Sequence, residues 1–398
     1  MDAGKVLFVG AGPGDPDLIT VRGVKALQQA DIVVYDRLAA PQLLKYAKPE
    51  AELVYCGKEP GLHTLAQDEI TQLLVREALR GRVVARLKGG DPGIFGRVWE
   101  EAEACAERGV PFEVIPGITA GIAASAYAGI PLTHREYSSN VAFVSGHRPA
   151  SAADATDWQA VAGCDTVVVY MGVGNLPDIC AGLRGIGGKS PDTPAALVRW
   201  GTTSEQATLI GSLDTIAAQA KKAGFGSPAI FVVGEAVKLR EKLAWYERQP
   251  LFGRKVLIVG SRDAVEEQAE RWSALGAETA EIAVDAGGAA DVTGRTSTDP
   301  AGAADAVTAS LRPRAASSSP DVYGLANGYV DELLLRGGFD TLFVCDSLGL
   351  DALRTVAARP ERATLLRAIP ALLGSDAFIE AEAQALLGKP TIRAAASS

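Results

Sequence analysis

Three short glycine-rich stretches constrain this chain more than anything else in it: Gly10-Ala-Gly-Pro-Gly-Asp-Pro16, Lys88-Gly-Gly-Asp-Pro92 and Pro116-Gly-Ile-Thr-Ala120. Each follows a short apolar run that reads as a strand, so each places backbone N–H and C=O groups at a strand end. They fall within about 110 residues of one another, in a chain whose connections should mostly run about two to six residues. That spacing predicts one cleft walled largely by main chain, the construction that suits a small polar cofactor.

The pattern around the loops is α/β. Residues 1–116 alternate strands over 5–9, 31–35, 82–87 and 112–115 with helices over 23–29, 67–80 and 98–108. Short, continuously apolar strands between helices predict a mostly parallel sheet covered on both faces. Residues 117–248 open with a small-residue helix over 120–128 and continue through strands over 141–145, 166–171, 195–198 and 230–233. They predict a second α/β domain with a mixed sheet, and the ligand cleft between the two domains. A boundary near Gln249-Pro250 starts a third, three-layer α/β unit over 249–398. Within it, about 285–320 is so poor in large apolar residues that a flexible insertion is expected.

The net charge of −9 argues against nucleic-acid and anionic-membrane partners, which call for a basic face. No apolar run approaches the roughly 18 residues of a membrane span, and no leader pattern precedes the first strand. The five cysteines lack metal or disulfide spacing, so reduced thiols, no metal site and a cytoplasmic location are expected.

The first loop is not a dinucleotide turn. Gly-x-Gly-x-x-Gly would need glycine where Asp15 stands, and Pro13 and Pro16 occupy positions that should donate N–H groups. A Gly-Lys-Ser/Thr phosphate loop is missing too. A ligand with a positive centre, a carboxylate and an adenosyl group fits such a loop better than a pyrophosphate, with backbone carbonyls and Asp91 available to face the cation.

Taken in order, these loops and Ala30-Asp-Ile-Val-Val-Tyr-Asp36, Gly57-Lys58, Arg86-Leu-Lys88, Ile94-Phe-Gly-Arg97, Gly129-Ile-Pro-Leu-Thr-His-Arg135, Gly146-His147 and Tyr170-Met-Gly172 resemble the tetrapyrrole methylases over about residues 4–247. The resemblance implies the two-domain methylase fold, a homodimer, and S-adenosyl-L-methionine as cofactor, released as S-adenosyl-L-homocysteine. It implies uroporphyrinogen III as the tetrapyrrole substrate and two methyl transfers giving precorrin-2, toward sirohaem or cobalamin. Cofactor contacts are expected from Pro13, Gly89, Gly90, Asp91, Ile94, Thr119, Ala120, Met171 and Gly201. Asp36 is the expected proton acceptor, and Lys58 the proton donor or a carboxylate partner. Arg97, His134, Arg135 and His147 are expected at the substrate rim. Two other readings stay open: a methylase of a later corrin intermediate, and a tetrapyrrole-binding scaffold without catalysis.

In the C-terminal third, Pro250-Leu-Phe-Gly-Arg-Lys-Val-Leu-Ile258, Phe339-Asp-Thr-Leu-Phe-Val344 and Leu373-Gly374 resemble uroporphyrinogen-III synthase. The match is degenerate and covers only about half of such an enzyme. A two-lobed cleft needs more chain, so no synthase activity is expected.

Overall fold

The computed structural model describes residues 4–57, 66–147, 156–285, 321–322 and 328–389. Among them the first sheet is built from β1 (Lys5–Gly10), β2 (Ile32–Tyr35), β3 (Glu52–Tyr55), β4 (Val83–Lys88) and β5 (Phe112–Ile115). Its order is β3-β2-β4-β1-β5, and every pairing is parallel. Alternate residues serve opposite faces. Val6, Phe8, Ile32 and Val34 pack with the helices Gln67–Leu79 and Val98–Glu107, while Leu7, Val9, Val33 and Tyr35 pack on the other side.

The second sheet is mixed. It contains β6 (Val141–Ser145), β7 (Thr166–Tyr170), β8 (Pro194–Arg199), β9 (Ala207–Ser212) and β10 (Ala229–Val233) in the order β6-β7-β10-β8-β9. Strands β7 and β8 both run antiparallel to β10 between them, so their carboxyl ends emerge at one edge.

The third sheet comprises β11 (Lys255–Ser261), β12 (Glu278–Asp285), β13 (Asp321–Val322), β14 (Thr341–Val344) and β15 (Ala371–Gly374), ordered β13-β12-β11-β14-β15 with β13 antiparallel. The helix Arg262–Ser273 covers the face holding Val256 and Ile258. The helices Ser347–Ala357 and Ala377–Leu387 cover the face holding Leu257 and Val259. The expected insertion, beyond Asp285 and up to 320, lies outside the described residues.

The third unit docks on the first sheet through a continuous core. Leu43, Leu44 and Tyr35 share one buried cluster with Tyr329, Val330 and Leu333 of the helix Tyr329–Arg336. Polar contacts fix the docking. Glu278 accepts from the Gln42 amide at 3.1 Å and from the Ser204 hydroxyl at 2.7 Å, and Lys45 pairs with Glu281 at 3.1 Å.

Candidate functional site

The strand order explains why the three glycine loops meet. They follow β1, β4 and β5, which are neighbours in the sheet, so all three leave the carboxyl edge side by side. Gly12 and Gly90 form an isolated antiparallel bridge: Gly12 N–H donates to Gly90 O at 3.2 Å, and Gly90 N–H to Gly12 O at 2.6 Å. A Cβ on Gly10 would lie 2.5 Å from Gly117 Cα and 2.9 Å from Gly90 O, so the approach of the loops requires glycine there. Asp91 staples the second and third loops together. Its carboxylate accepts from Gly93 N–H at 2.7 Å and from Gly117 N–H at 3.0 Å, leaving each oxygen one further lone pair for a ligand.

The second sheet closes the cleft from the opposite side. Tyr170, at the end of β7, accepts the Gly121 N–H at 2.9 Å and bonds the Thr119 hydroxyl at 2.7 Å. Its ring meets Phe95, just past the second loop, at a tilt with centroids 5.1 Å apart, and Phe143 of β6 edge-on at 6.0 Å. Thr119 precedes the helix Ala120–Tyr127 and spends its hydroxyl on Tyr170 rather than on a cap. Met171 follows with φ +55° and 54% of its surface exposed. Among the described residues, the other non-glycine positions with positive φ are Phe95, Arg97, Trp200 and Thr202, at the ends of loops facing the same cleft. Conformations of this kind cost energy and concentrate at functional sites. Gly201 brings the end of β8 against the first loop: its carbonyl lies 3.3 Å from where a Cβ on Gly14 would stand, and Thr202 Oγ1 accepts from Asp15 N–H at 3.0 Å.

Asp36 leaves β2, the strand beside β4. It accepts the Leu38 N–H at 3.1 Å and faces Arg86 at 3.4 Å. Arg86 and Lys88 are buried, and both reach the fully buried Glu101, at 3.6 and 3.2 Å. Burial works against the Arg86 charge, but Asp36 and its neighbouring acids outweigh it and hold the guanidinium above its ordinary range. Burial, reinforced by Arg86, pushes the Lys88 ammonium down against the pull of Glu101. The fold spends these two cations on a buried ion network beneath Asp36. Lys58 lies outside the described residues; the strand leading to its loop, β3, is next to β2.

The rim residues divide. His147 is exposed and follows Gly146, whose N–H donates to Tyr170 O at 2.7 Å, so it stands at the Met171 edge. Arg97 is exposed at the end of the second loop and pairs with Glu100. His134 and Arg135 occupy a turn closed by the pairing of His134 with Ser138, and Ser138 bonds Thr166 at 2.8 Å. Thr166 is the opposite end of β7, roughly 13 Å along the strand from Tyr170 at the usual rise. The fold therefore does not bring His134 and Arg135 to the edge where Met171 stands.

What this cleft can hold follows from its lining. Gly90 has φ +70°, and a Cβ there would meet Ala120 N at 3.5 Å and Thr119 Cα at 3.8 Å, so main chain faces main chain across an open slot. Half-buried Ile94 and exposed Met171 add apolar walls, and Pro13 lines the first loop. With Arg86 and Lys88 engaged, β4 offers no basic side chain to a polyphosphate. A thioether-linked adenosyl amino acid fits this donor set. Tyr170 and the Asp36–Arg86–Glu101–Lys88 network were not predicted as site features; the Tyr-Met-Gly run at a strand end was the only signal for the first.

A family model described as Tetrapyrrole (Corrin/Porphyrin) Methylases matches residues 5–217. A uroporphyrinogen-III C-methyltransferase of Priestia megaterium is 55% identical over 235 residues, which is 59% of this chain and 98% of that protein. A siroheme synthase of Chromobacterium violaceum is 50% identical over 247 residues, 62% of this chain and 52% of that one. The crystal structure of a uroporphyrin-III C-methyl transferase from Thermus thermophilus, complexed with S-adenyl homocysteine, superposes with a TM-score of 0.51 at 37% identity, covering 59% of this chain and all of the other.

Proposed function

The chain belongs to the tetrapyrrole methylases, and from that premise we propose that it methylates uroporphyrinogen III twice at carbon, giving precorrin-2 on the way to sirohaem or cobalamin. The observation that carries this reading is the junction of the three glycine loops opposite Tyr170 and Met171. S-adenosylmethionine, when bound, supplies a methyl group already activated by its sulfonium and leaves as S-adenosylhomocysteine. The chain's part is to hold and to align. Gly89 and Gly90 let the second loop's backbone approach the ligand, Thr119 and Ala120 present the start of their helix, and Ile94, Met171, Pro13 and Gly201 shape the slot.

Asp36 stands at a carboxyl strand edge with Arg86 behind it, a setting that orients it to accept the proton the macrocycle releases after methylation. Lys58 donates a proton or pairs with a substrate carboxylate, and Asp91 fixes the loops while facing the cationic centre. Arg97 and His147 meet the substrate's acidic side chains. We read the chain as units 1–116, 117–248 and 249–398, acting as a homodimer in the cytoplasm, with the third unit lacking synthase activity. No helix among the described residues is long and apolar enough to cross a membrane.

The test is anaerobic incubation with uroporphyrinogen III and S-adenosylmethionine, followed by mass spectrometry of the tetrapyrrole. A gain of two methyl groups is expected. Asp36→Asn should slow transfer by about 100-fold or more, the usual range for losing a general base, with S-adenosylhomocysteine affinity unchanged. No mass gain despite cofactor binding would sink the assignment of substrate.

A further inference from the structure

We propose that the third unit is a working part of the methylase, holding Asp36 and the Cys56-Gly57 turn that precedes Lys58 in register through Arg336 and Glu332. The inference rests on the acid–base reading of Asp36 and Lys58. Arg336 and Glu332 lie one turn apart on the helix Tyr329–Arg336 and pair at 2.5 Å. The Arg336 guanidinium sits 3.6 Å from the centre of the Tyr55 ring, a close cation–π contact. Burial, together with Glu332 close by, pushes the pKa of the Tyr35 hydroxyl up, and the Tyr35 ring lies 5.5 Å from that of Tyr55. The ion pair thus bridges two rings on adjacent strands.

Those rings end at the chemistry. Tyr35 is the residue before Asp36, and Tyr55 stands just before the Cys56-Gly57 turn that leads to Lys58. The Tyr55 hydroxyl fills the space a Cβ would take at Gly57, and the Arg37 backbone nitrogen lies 2.8 Å from that point. Arg37 in turn reaches across the cleft to the Trp200 ring at 5.7 Å. A shift of Arg336 is therefore passed through one side chain to both the turn after β3 and the segment after Asp36. The parallel pairing of Tyr35 with Tyr55 sets the separation of the two strand ends, and the clamp fixes their side chains in that register. Arg336 and Glu332 are positioning residues: they touch neither substrate nor cofactor.

The experiment uses the full chain with S-adenosylmethionine and uroporphyrinogen III. Arg336→Ala should lower kcat about tenfold, since small displacements of an acid–base pair are costly, while the Kd for S-adenosylhomocysteine stays within about twofold. Arg336→Lys keeps a cation over the ring and should recover most of the loss. An Arg336→Ala protein with a lower Tm but unchanged kcat per folded molecule would mean a merely structural contact and overturn the proposal. Should Arg336→Ala fail to fold, Tyr55→Phe removes only the hydroxyl beside Gly57; a kcat about threefold lower supports the clamp, and an unchanged kcat overturns it. Asp36→Asn, run alongside, separates the two ideas. If it abolishes turnover while Arg336→Ala does not alter kcat, the clamp falls and the base stands. If Asp36→Asn turns over normally, the base reading falls and takes the clamp with it.

Discussion

Gly90 concentrates the residue-scale argument. Its φ of +70° is a conformation that costs an L-residue about 1–2 kcal/mol, and its missing Cβ opens toward Ala120 N at 3.5 Å, an ordinary contact rather than a clash. Gly90→Ala should therefore cost about 1 kcal/mol of stability and retain binding. Gly90→Arg keeps the same backbone cost but drives a long side chain into the slot between the second and third loops. It should abolish S-adenosylhomocysteine binding in calorimetry while the protein stays folded. Retained binding in the arginine variant would mean the cofactor lies elsewhere. The glycines were legible in the sequence because a loop needing φ > 0 or close approach leaves its mark locally. Tyr170 and Glu101 were not. Their importance comes from partners 13 to 51 residues away, Lys88 for one and Thr119 for the other, and no periodicity records such pairings.

At the scale of elements, the helix Tyr329–Arg336 is held from two sides. One side carries the clamp on Tyr35 and Tyr55. On the other, Asp331 pairs in bidentate fashion with Arg362, which is almost fully buried, in the helix Pro360–Ala368. The Arg362 hydrogen bonds hold the Asp331 carboxyl below its ordinary range. A carboxyl depressed in the folded state contributes stability above its unfolded pKa of about 3.9 and loses it as pH falls through the lower, folded value. Acid should thus loosen this helix. Asp331→Asn should remove the acid-dependent part, flattening stability below about pH 4. At neutral pH it should cost about 1–2 kcal/mol, less than a fully buried pair because Asp331 is partly exposed. Denaturation followed at several pH values checks both statements; equal pH slopes for wild type and variant would refute the linkage. The central strands of the first two sheets were readable as apolar runs, and so was the alternation of strand and helix in the first. Strands β3 and β9 were not: Glu-Leu-Val-Tyr and Ala-Thr-Leu-Ile-Gly-Ser lie at sheet edges, where one-sided pairing tolerates a mixed composition. Strand β12, with Glu278 and Glu281 inside it, was hidden because those acids are used in docking.

On the scale of the whole molecule, the question is what the third unit does for the other two. A relative matched over 98% of its length aligns with only 235 residues of this chain, so the methylase sheets can exist without such a unit. Here, however, the surface beneath it has the character of an interior. Leu43 and Leu44 are buried in the core shared with Tyr329 and Leu333, and the turn Pro41–Tyr46 lies under that helix. Lys45 stays charged there because Glu281 outweighs the burial that would otherwise push its pKa down. Removing residues 249–398 would uncover this apolar patch and leave Lys45 and Gln42 without Glu281 and Glu278. Each large apolar side chain re-exposed forfeits about 1.5–3 kcal/mol. A loss of a few kcal/mol in a unit of this size lowers Tm by about 5–10 °C. The truncated piece should also associate with rising concentration, since a contiguous apolar patch seeks a new cover. Scanning calorimetry and light scattering on residues 1–248, beside the full chain, test this. A piece with unchanged Tm that scatters as a single species at every concentration would show that the shared core carries no stability. A destabilised, associating piece that still binds S-adenosylhomocysteine would separate the support of the sheets from the assembly of the slot around the three glycine loops and Tyr170.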